Sequence, residues 1–462
     1  MNRRDFLKVL AGGSAASLLA PRLGLGGPQP NDVFWVHVQA IGAWDVALIT
    51  DPKAALRQKG LNRDLYLYGV PVSLNNGQPV NGTAVIKPAT SAVVRTTPGD
   101  GITYLGFADF HGDPNNPGAY KPFFPTYYDR ITVFNGVETG TINHSIGMRY
   151  CTAGSNNEHF PCFASQVACV RAPERPLSFM NLGGYSETAG LIPAQTLSGA
   201  GLANLLRVVA PNDLSGDNNG SDTIMSATSL DAIHKAHAAR TARLHDRLNL
   251  PGQRIALDAM QTADAGRASL AALHFNGNDQ SLKNVLNVGI DAYRQGLAVS
   301  LNVPVGGFDS HGDNEQTQIQ SLYSLFDAIK TILVETESPT NGKTPVPAVV
   351  VVTSDFGRSP FYRNGGTDHW PVTSMMVVQN ALAKKMNLAI PTNTVIGAST
   401  PGNETQALRS MKVDPQTLKV DSNGVTVTPG HVMRALRRLA GIEGSPKLAP
   451  YALTVDKDLA IG

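Results

Sequence analysis

Four stretches of the chain place Asp, His or hydroxyl side chains at the ends of apolar runs. They supply Asp45; Thr141, His144 and Ser145; Asp309 and His311; and Asp355 with Asp368 and His369. A divalent cation needs several oxygen and imidazole donors held by rigid elements, and two such ions need about six. Carboxylates gathered at one edge of a sheet repel one another, and a cation is one way to neutralise them. Asp45, His144, Asp309, His311, Asp355, Asp368 and His369 are therefore candidate ligands for divalent metal: zinc, or manganese, calcium or magnesium. An Asp just after a strand also caps helices and shapes turns, and Asp45, Asp313 and Asp355 are open to that role.

These residues need strands to carry them. Val33–Ala40 is β-rich and runs into Gly42-Ala43-Trp44-Asp45, the pattern of a buried parallel strand and its carboxyl edge. Ile131–Val137 reads as a second buried strand, with Thr141 to Ser145 in its outflow. Ala298–Val305 leads to Gly306-Gly307-Phe308-Asp309-Ser310-His311-Gly312-Asp313-Asn314; a helix follows over Gln316–Glu335, and Pro347–Thr353 then runs into Ser354-Asp355-Phe356-Gly357-Arg358. This strand, helix, strand order predicts a right-handed crossover with both acidic tips on one edge of a parallel sheet, where ligand groups collect. Ser374–Val378 predicts a further strand and Val432–Leu439 a basic helix. Residues 52–128 are loop-rich, with local pairing expected within Ala84–Arg95. Helices are expected over Ser229–Leu248 and Leu282–Val299; His234 and His237 share a turn of the first, most simply as part of a solvated face.

The chain has 462 residues, is 42% apolar and carries a formal net charge of +2, with Lys and Arg spread along it. That balance suits a globular core and gives no reason to invoke nucleic acid. Gly and Pro number 45 and 30, which fits many loops on a packed scaffold and argues against a helical bundle. Cys151, Cys162 and Cys169 allow one disulfide and an odd thiol in an oxidising compartment. At the start, Asn2-Arg3-Arg4-Asp5-Phe6-Leu7-Lys8 precedes a short run of small and apolar residues to Ala20. Paired arginines in that setting are an address for the twin-arginine export machinery, implying a periplasmic or secreted protein. No later apolar run is long enough to span a membrane. Residues 1–30 are thus expected to be signal and lead-in, and residues 31–462 one domain.

The paired arginines, the Gly-Phe-Asp-Ser-His-Gly-Asp-Asn segment, Ser-Asp-Phe-Gly-Arg-Ser-Pro and Gly-Thr-Asp-His-Trp resemble the secreted bacterial family called domain of unknown function 1501. The similarity covers most of the chain after the signal, and that family is similar to the alkaline phosphatase and sulfatase superfamily. The resemblance implies an alkaline-phosphatase-like α/β fold, with a mostly parallel central sheet and helices on both faces. It implies a metal-dependent hydrolase of phosphate or sulfate esters, acting on a small-molecule or polymer substrate. Asp45 and Asp355 would share one ion, and Asp309 and His369 the other. Ser145 or Thr141 would stand at the nucleophile position beside His144, and Arg358 would neutralise the transferring group through a bidentate contact. The chain differs from the superfamily in two places: His311 follows Asp309 by two residues, and Asp355-Phe356 stands where Asp-His is expected. A non-catalytic exported protein that uses such a scaffold to bind an envelope partner is the alternative.

Overall fold

Seven consecutive buried residues, Phe34–Ala40, form the strand β1 at the middle of the sheet. Both faces of a central parallel strand are covered, so its sequence reads as a nearly continuous apolar run. The computed structural model describes residues 32–51, 123–214, 222–247, 275–312, 314–339, 342–363, 366–400 and 408–461, short segments at 73–75, 78–80, 93–95 and 102–105, and isolated positions between 250 and 273. The export segment and Asp313 lie outside the described residues. Of Ala84–Arg95 only Val93–Arg95 is described, and it pairs antiparallel with Thr103–Leu105.

The described chain falls into two compact units. One comprises residues 173–178 and 197–298 and holds the helices Ala200–Val209, Ala227–Arg247 and Leu282–Arg294. The last of these stops short of the expected Val299, because the Leu297 N–H turns back onto the Ala292 carbonyl and closes the helix end. His234 and His237 are exposed on the second helix.

The other unit, residues 31–172, 179–196 and 299–462, is an α/β structure with an eight-stranded sheet. Besides β1, its strands are β2 (Ile131–Glu138), β3 (Phe179–Asn181), β4 (Ala194–Thr196), β5 (Ser300–Val305), β6 (Ala348–Ser354), β9 (Val372–Gln379) and β10 (Thr394–Ile396). A separate hairpin, β7 (Gly357–Arg363) with β8 (Gly366–Trp370), lies between β6 and β9 in sequence. The sheet order is β10-β2-β9-β6-β1-β5-β3-β4. Only β9 runs against its neighbours, β6 and β2; every other pairing is parallel. The carboxyl ends of β1, β2, β5 and β6 therefore open on one edge.

The helix α1 (His144–Ala153) packs on β6, α2 (Phe163–Arg171) on β1, β3 and β5, and α4 (Pro429–Leu439) on α1, α2 and β2. Between α2 and α4 in sequence, α3 (Asn314–Glu337) packs on β1, β5 and β6. Phe163 meets Trp35 edge-on at 5.5 Å within a core that includes Val349 and Val351. The buried Leu322, Leu325, Phe326 and Ile329 of α3 stand outside that core. Alternation along the strands places the two groups on opposite faces of the sheet. Truncating Phe163 to Ala would cost about 3–5 kcal/mol.

The allowance for a disulfide is corrected by this packing. Cys151, Cys162 and Cys169 are all buried and unpaired, and burial pushes each thiol up, Cys169 to about 11. They behave as small apolar groups.

His37 is the costly residue of the core. Its Nε2 lies 2.9 Å from Thr353 Oγ1, its Nδ1 has no partner, and burial drops its pKa from 6.5 to about 3. The unfolded chain takes up this proton below pH 6.5 while the folded chain refuses it. Stability is thus whole above that pH and is lost as pH falls. Linkage sets the loss at about 2 kcal/mol between pH 6.5 and 4.5. Denaturant unfolding of His37→Gln should show a correspondingly shallower loss over that window; an unchanged slope would assign the acid sensitivity elsewhere.

Candidate metal centre

β6, β1 and β5 lie side by side in parallel, so Asp355, the turn after Ala40 and Asp309 emerge together. Gly42, at φ +113°, permits the contact: a Cβ there would lie 2.4 Å from the Asp309 nitrogen. Gly42 and Ala43 both have positive φ and donate their N–H groups to the Asp355 carboxylate, Ala43 at 2.6 Å. Successive amides in that conformation form an anion-binding nest. Asp355 also accepts from Ser354 Oγ at 3.0 Å and is fully buried.

His144 is the first residue of α1, entered through the Asn143 cap, whose side chain accepts from Ile146 N. Gly147 lets that helix sit against the end of β6, since a Cβ would lie 2.3 Å from the Asp355 carbonyl oxygen. The result is a 2.5 Å bond between His144 Nδ1 and Asp355 Oδ2. This bond raises the pKa of His144 above its ordinary value, against the opposing effect of burial.

His369 is held in the same manner. Its Nδ1 lies 3.1 Å from the Ile142 carbonyl, and its Nε2 lies 3.1 Å from Asp309 Oδ1. With Nδ1–H committed behind each ring, the Nε2 lone pairs of both histidines are available in front. His144 Nε2 is buried with no hydrogen-bond partner, 3.6 Å from Asp309 Oδ2. Among the described residues, His144, Asp309 and His369 form one group whose donor atoms lie within 4.8 Å of one another. An orphaned imidazole nitrogen facing a carboxylate and a second imidazole fits a divalent cation. His311 stands at the rim, its Nε2 3.0 Å from both Asp309 Oδ1 and His369 Nε2. Phe356 packs against both inner rings, 4.8 Å from His144 and 4.6 Å from His369.

The other expected site residues have different surroundings. Asp45 is fully buried and caps a short 3-10 turn, Val46–Leu48, accepting from Ala47 N at 3.1 Å and from Asn314 Nδ2 at 3.2 Å. Asp355 stands behind His144 and outside the three-donor group. Asp368 is half exposed, with Oδ1 4.0 Å from His311 Nδ1, beyond hydrogen-bond length. Thr141 Oγ1 accepts from Asn143 N at 3.1 Å, and Ser145 is exposed beside His144.

Arg358 is fully buried. Its Nε donates to the Ala43 carbonyl at 3.0 Å, one terminal nitrogen to Thr367 at 2.7 Å, and the other to Gly42, Phe308 and Asp309. A guanidinium has five N–H groups in a fixed fork, so this arrangement leaves no pair for bidentate capture of a transferring group. Burial lowers its pKa, with Asp309 opposing. Burial likewise pushes Asp309 up, but the bond to Arg358 and its charge hold the carboxyl below its usual value.

Two amides escaped notice in the sequence. Gln318 accepts from Asp45 N and donates to the Phe308 carbonyl at 2.7 Å, while Asn314 accepts from Thr367 and Ser310. Both are buried and four residues apart on α3, so they present one polar face toward the strand edge. An amide pair at that spacing in the first turns of a helix was the available signal.

No protein-family model matches the chain, and no curated protein is significantly similar to it.

The geometry separates ligands from supports. Asp309→Ala or His144→Ala should abolish stoichiometric binding of divalent metal. Asp355→Asn should weaken it about 10–100-fold, the usual effect of removing a carboxylate behind a ligating imidazole. Because a proton on His144 competes with metal, and its pKa is raised, wild-type affinity should begin to fall above the pH expected for an ordinary imidazole. Metal titrations between pH 5 and 8 read both effects; full binding in Asp309→Ala and His144→Ala would remove the centre.

Proposed function

We propose that the chain is an exported, metal-dependent hydrolase of phosphate or sulfate esters on an alkaline-phosphatase-like scaffold. The family called domain of unknown function 1501 is the one it resembles. The observation that carries this reading is the unpartnered Nε2 of His144, turned toward Asp309 and His369 at the carboxyl edge of a parallel sheet. Two imidazoles with one carboxylate suit zinc better than manganese, calcium or magnesium. A cation there supplies Lewis acidity to an ester oxygen and lowers the pKa of a nearby hydroxyl.

The protein's own groups provide the rest. Asp355 and the Ile142 carbonyl fix the rings of His144 and His369, so neither must reorient when substrate arrives. Ser145, exposed in the first turn of α1, and Thr141, just before the helix, are the hydroxyls available for in-line attack. The positive end of that ten-residue helix favours an anionic ester beside them. Arg358 keeps the edge in place and leaves the substrate's charge to other groups.

A second reading has an observation of its own. Asp45 and Arg358 are committed to main-chain groups, and the described residues bring together three donors where a two-ion centre needs about six. A binding protein on a phosphatase-like scaffold fits that economy.

Elemental analysis of protein purified from its native compartment, followed by assay on aryl phosphates and aryl sulfates, separates the two. The hydrolase should carry about one equivalent of metal, turn over one ester class, and lose activity to a chelator in parallel with the metal. Metal-loaded protein inert on both classes, with stability unaffected by chelator, would leave the binding role. Export through the twin-arginine machinery predicts that Arg3→Lys with Arg4→Lys retains the protein in the cytoplasm on fractionation; unchanged export would rule out that route.

A further inference from the structure

Two large apolar side chains flank His144 and are exposed: Ile142 at 55% and Ile146 at 38%. Their exposure has no explanation in helix capping. Ile142 immediately precedes the Asn143 cap, a position from which an apolar side chain ordinarily packs on the fourth residue of the helix. Here that residue is Gly147, which has no side chain to offer. Ile146 sits in the first turn, where side chains lean back toward the helix start, the end at which Ile142 enters. The pair is tied to the metal centre by the main chain, since the Ile142 carbonyl is the acceptor that holds His369 Nδ1. Phe356 lies behind the two imidazoles. Arg358, the guanidinium at this edge, is turned inward onto carbonyls and Asp309, so it cannot meet a second anionic group on a substrate.

We infer that Ile142 and Ile146 form the seat for an apolar alcohol portion of the ester, making the substrate an aryl or alkyl ester rather than a sugar or polyol ester. The inference rests on the ester-hydrolase reading of the same centre. The anionic head faces His144, Asp309 and His369, and the apolar group lies across the two isoleucines at the mouth. Phosphate and sulfate esters share this requirement.

Unreactive analogues test it on the metal-loaded full-length protein without relying on turnover. Phenylphosphonate and methylphosphonate serve for phosphate esters, benzenesulfonate and methanesulfonate for sulfate esters, all by equilibrium titration. The phenyl compound of the preferred class should bind about tenfold more tightly than the methyl one, as expected from covering roughly 60 Å² of ring. In Ile142→Ser and Ile146→Ser that ratio should fall toward unity with metal content unchanged, because the Ile142 carbonyl that holds His369 and the three donor side chains are kept. Equal binding of phenyl and methyl compounds to wild type would overturn the apolar seat and leave the hydrolase reading standing. A ratio retained in both variants would overturn the assignment to these two residues. Failure of all four compounds to bind metal-loaded protein would overturn the hydrolase reading and this inference with it.

Discussion

The buried guanidinium of Arg358 reaches three separate segments at once: the turn after β1 through Gly42 and Ala43, the end of β5 through Phe308 and Asp309, and β8 through Thr367. A charge removed from water is tolerated only when its donors are satisfied and a counter-charge is near, and Arg358 has both. Deleting it would take one donor from each of four carbonyls and the counter-charge from Asp309. A lysine could not replace it, because one ammonium cannot reach directions set by a planar fork. Arg358 also faces His369 across the β7–β8 hairpin. The group that fixes Asp309 therefore fixes the strand that brings His369 beside it.

The same turn is held from its other side. Gly42 and Ala43 give their carbonyls to Arg358 and their N–H groups to Asp355, so two backbone units are saturated by one cation and one anion. Asp355 needs no metal for its charge, since the nest and His144 already compensate it. Asp45 is stabilised by Ala47 and Asn314 in a similar way. Neither of these two carboxylates calls for a cation, because amides and imidazole do the neutralising. A cation is better motivated at Asp309, whose half-exposed carboxylate faces three imidazole nitrogens, those of His144, His311 and His369, as well as Arg358.

Apolar periodicity located β1, β2, β5, β6 and β9 within a residue or two and placed their tips, because buried strands must be written in β-branched and aromatic residues whatever else they do. The roles of the tip residues were far less legible. Asp45, Asp309 and Asp355 occupy equivalent places at strand ends, yet one caps a turn, one faces the imidazoles and one sits in a nest. Nothing in a residue's type states where its lone pairs point. That depends on backbone dihedrals such as the positive φ of Ala43, for which the sequence carries no strong signal. The role of Arg358 is hidden for a related reason. An arginine beside a catalytic-looking motif suggests an anion clamp, and only burial reveals that its anion is Asp309 and its other partners are carbonyls.

Phe356 adds no donor to the group formed by His144, Asp309 and His369. An imidazole at that position would bring another nitrogen donor. The phenyl ring instead packs against His144 and His369, whose centroids are 4.5 Å apart. It limits the rotation of both rings and lowers the local dielectric, which strengthens the pull of Asp309 on any cation between them. His144 arrives from a different element, α1, and its bond to Asp355 keeps that aspartate coupled to the centre through the ring instead of directly. Three donors held this rigidly suit a single ion better than a pair.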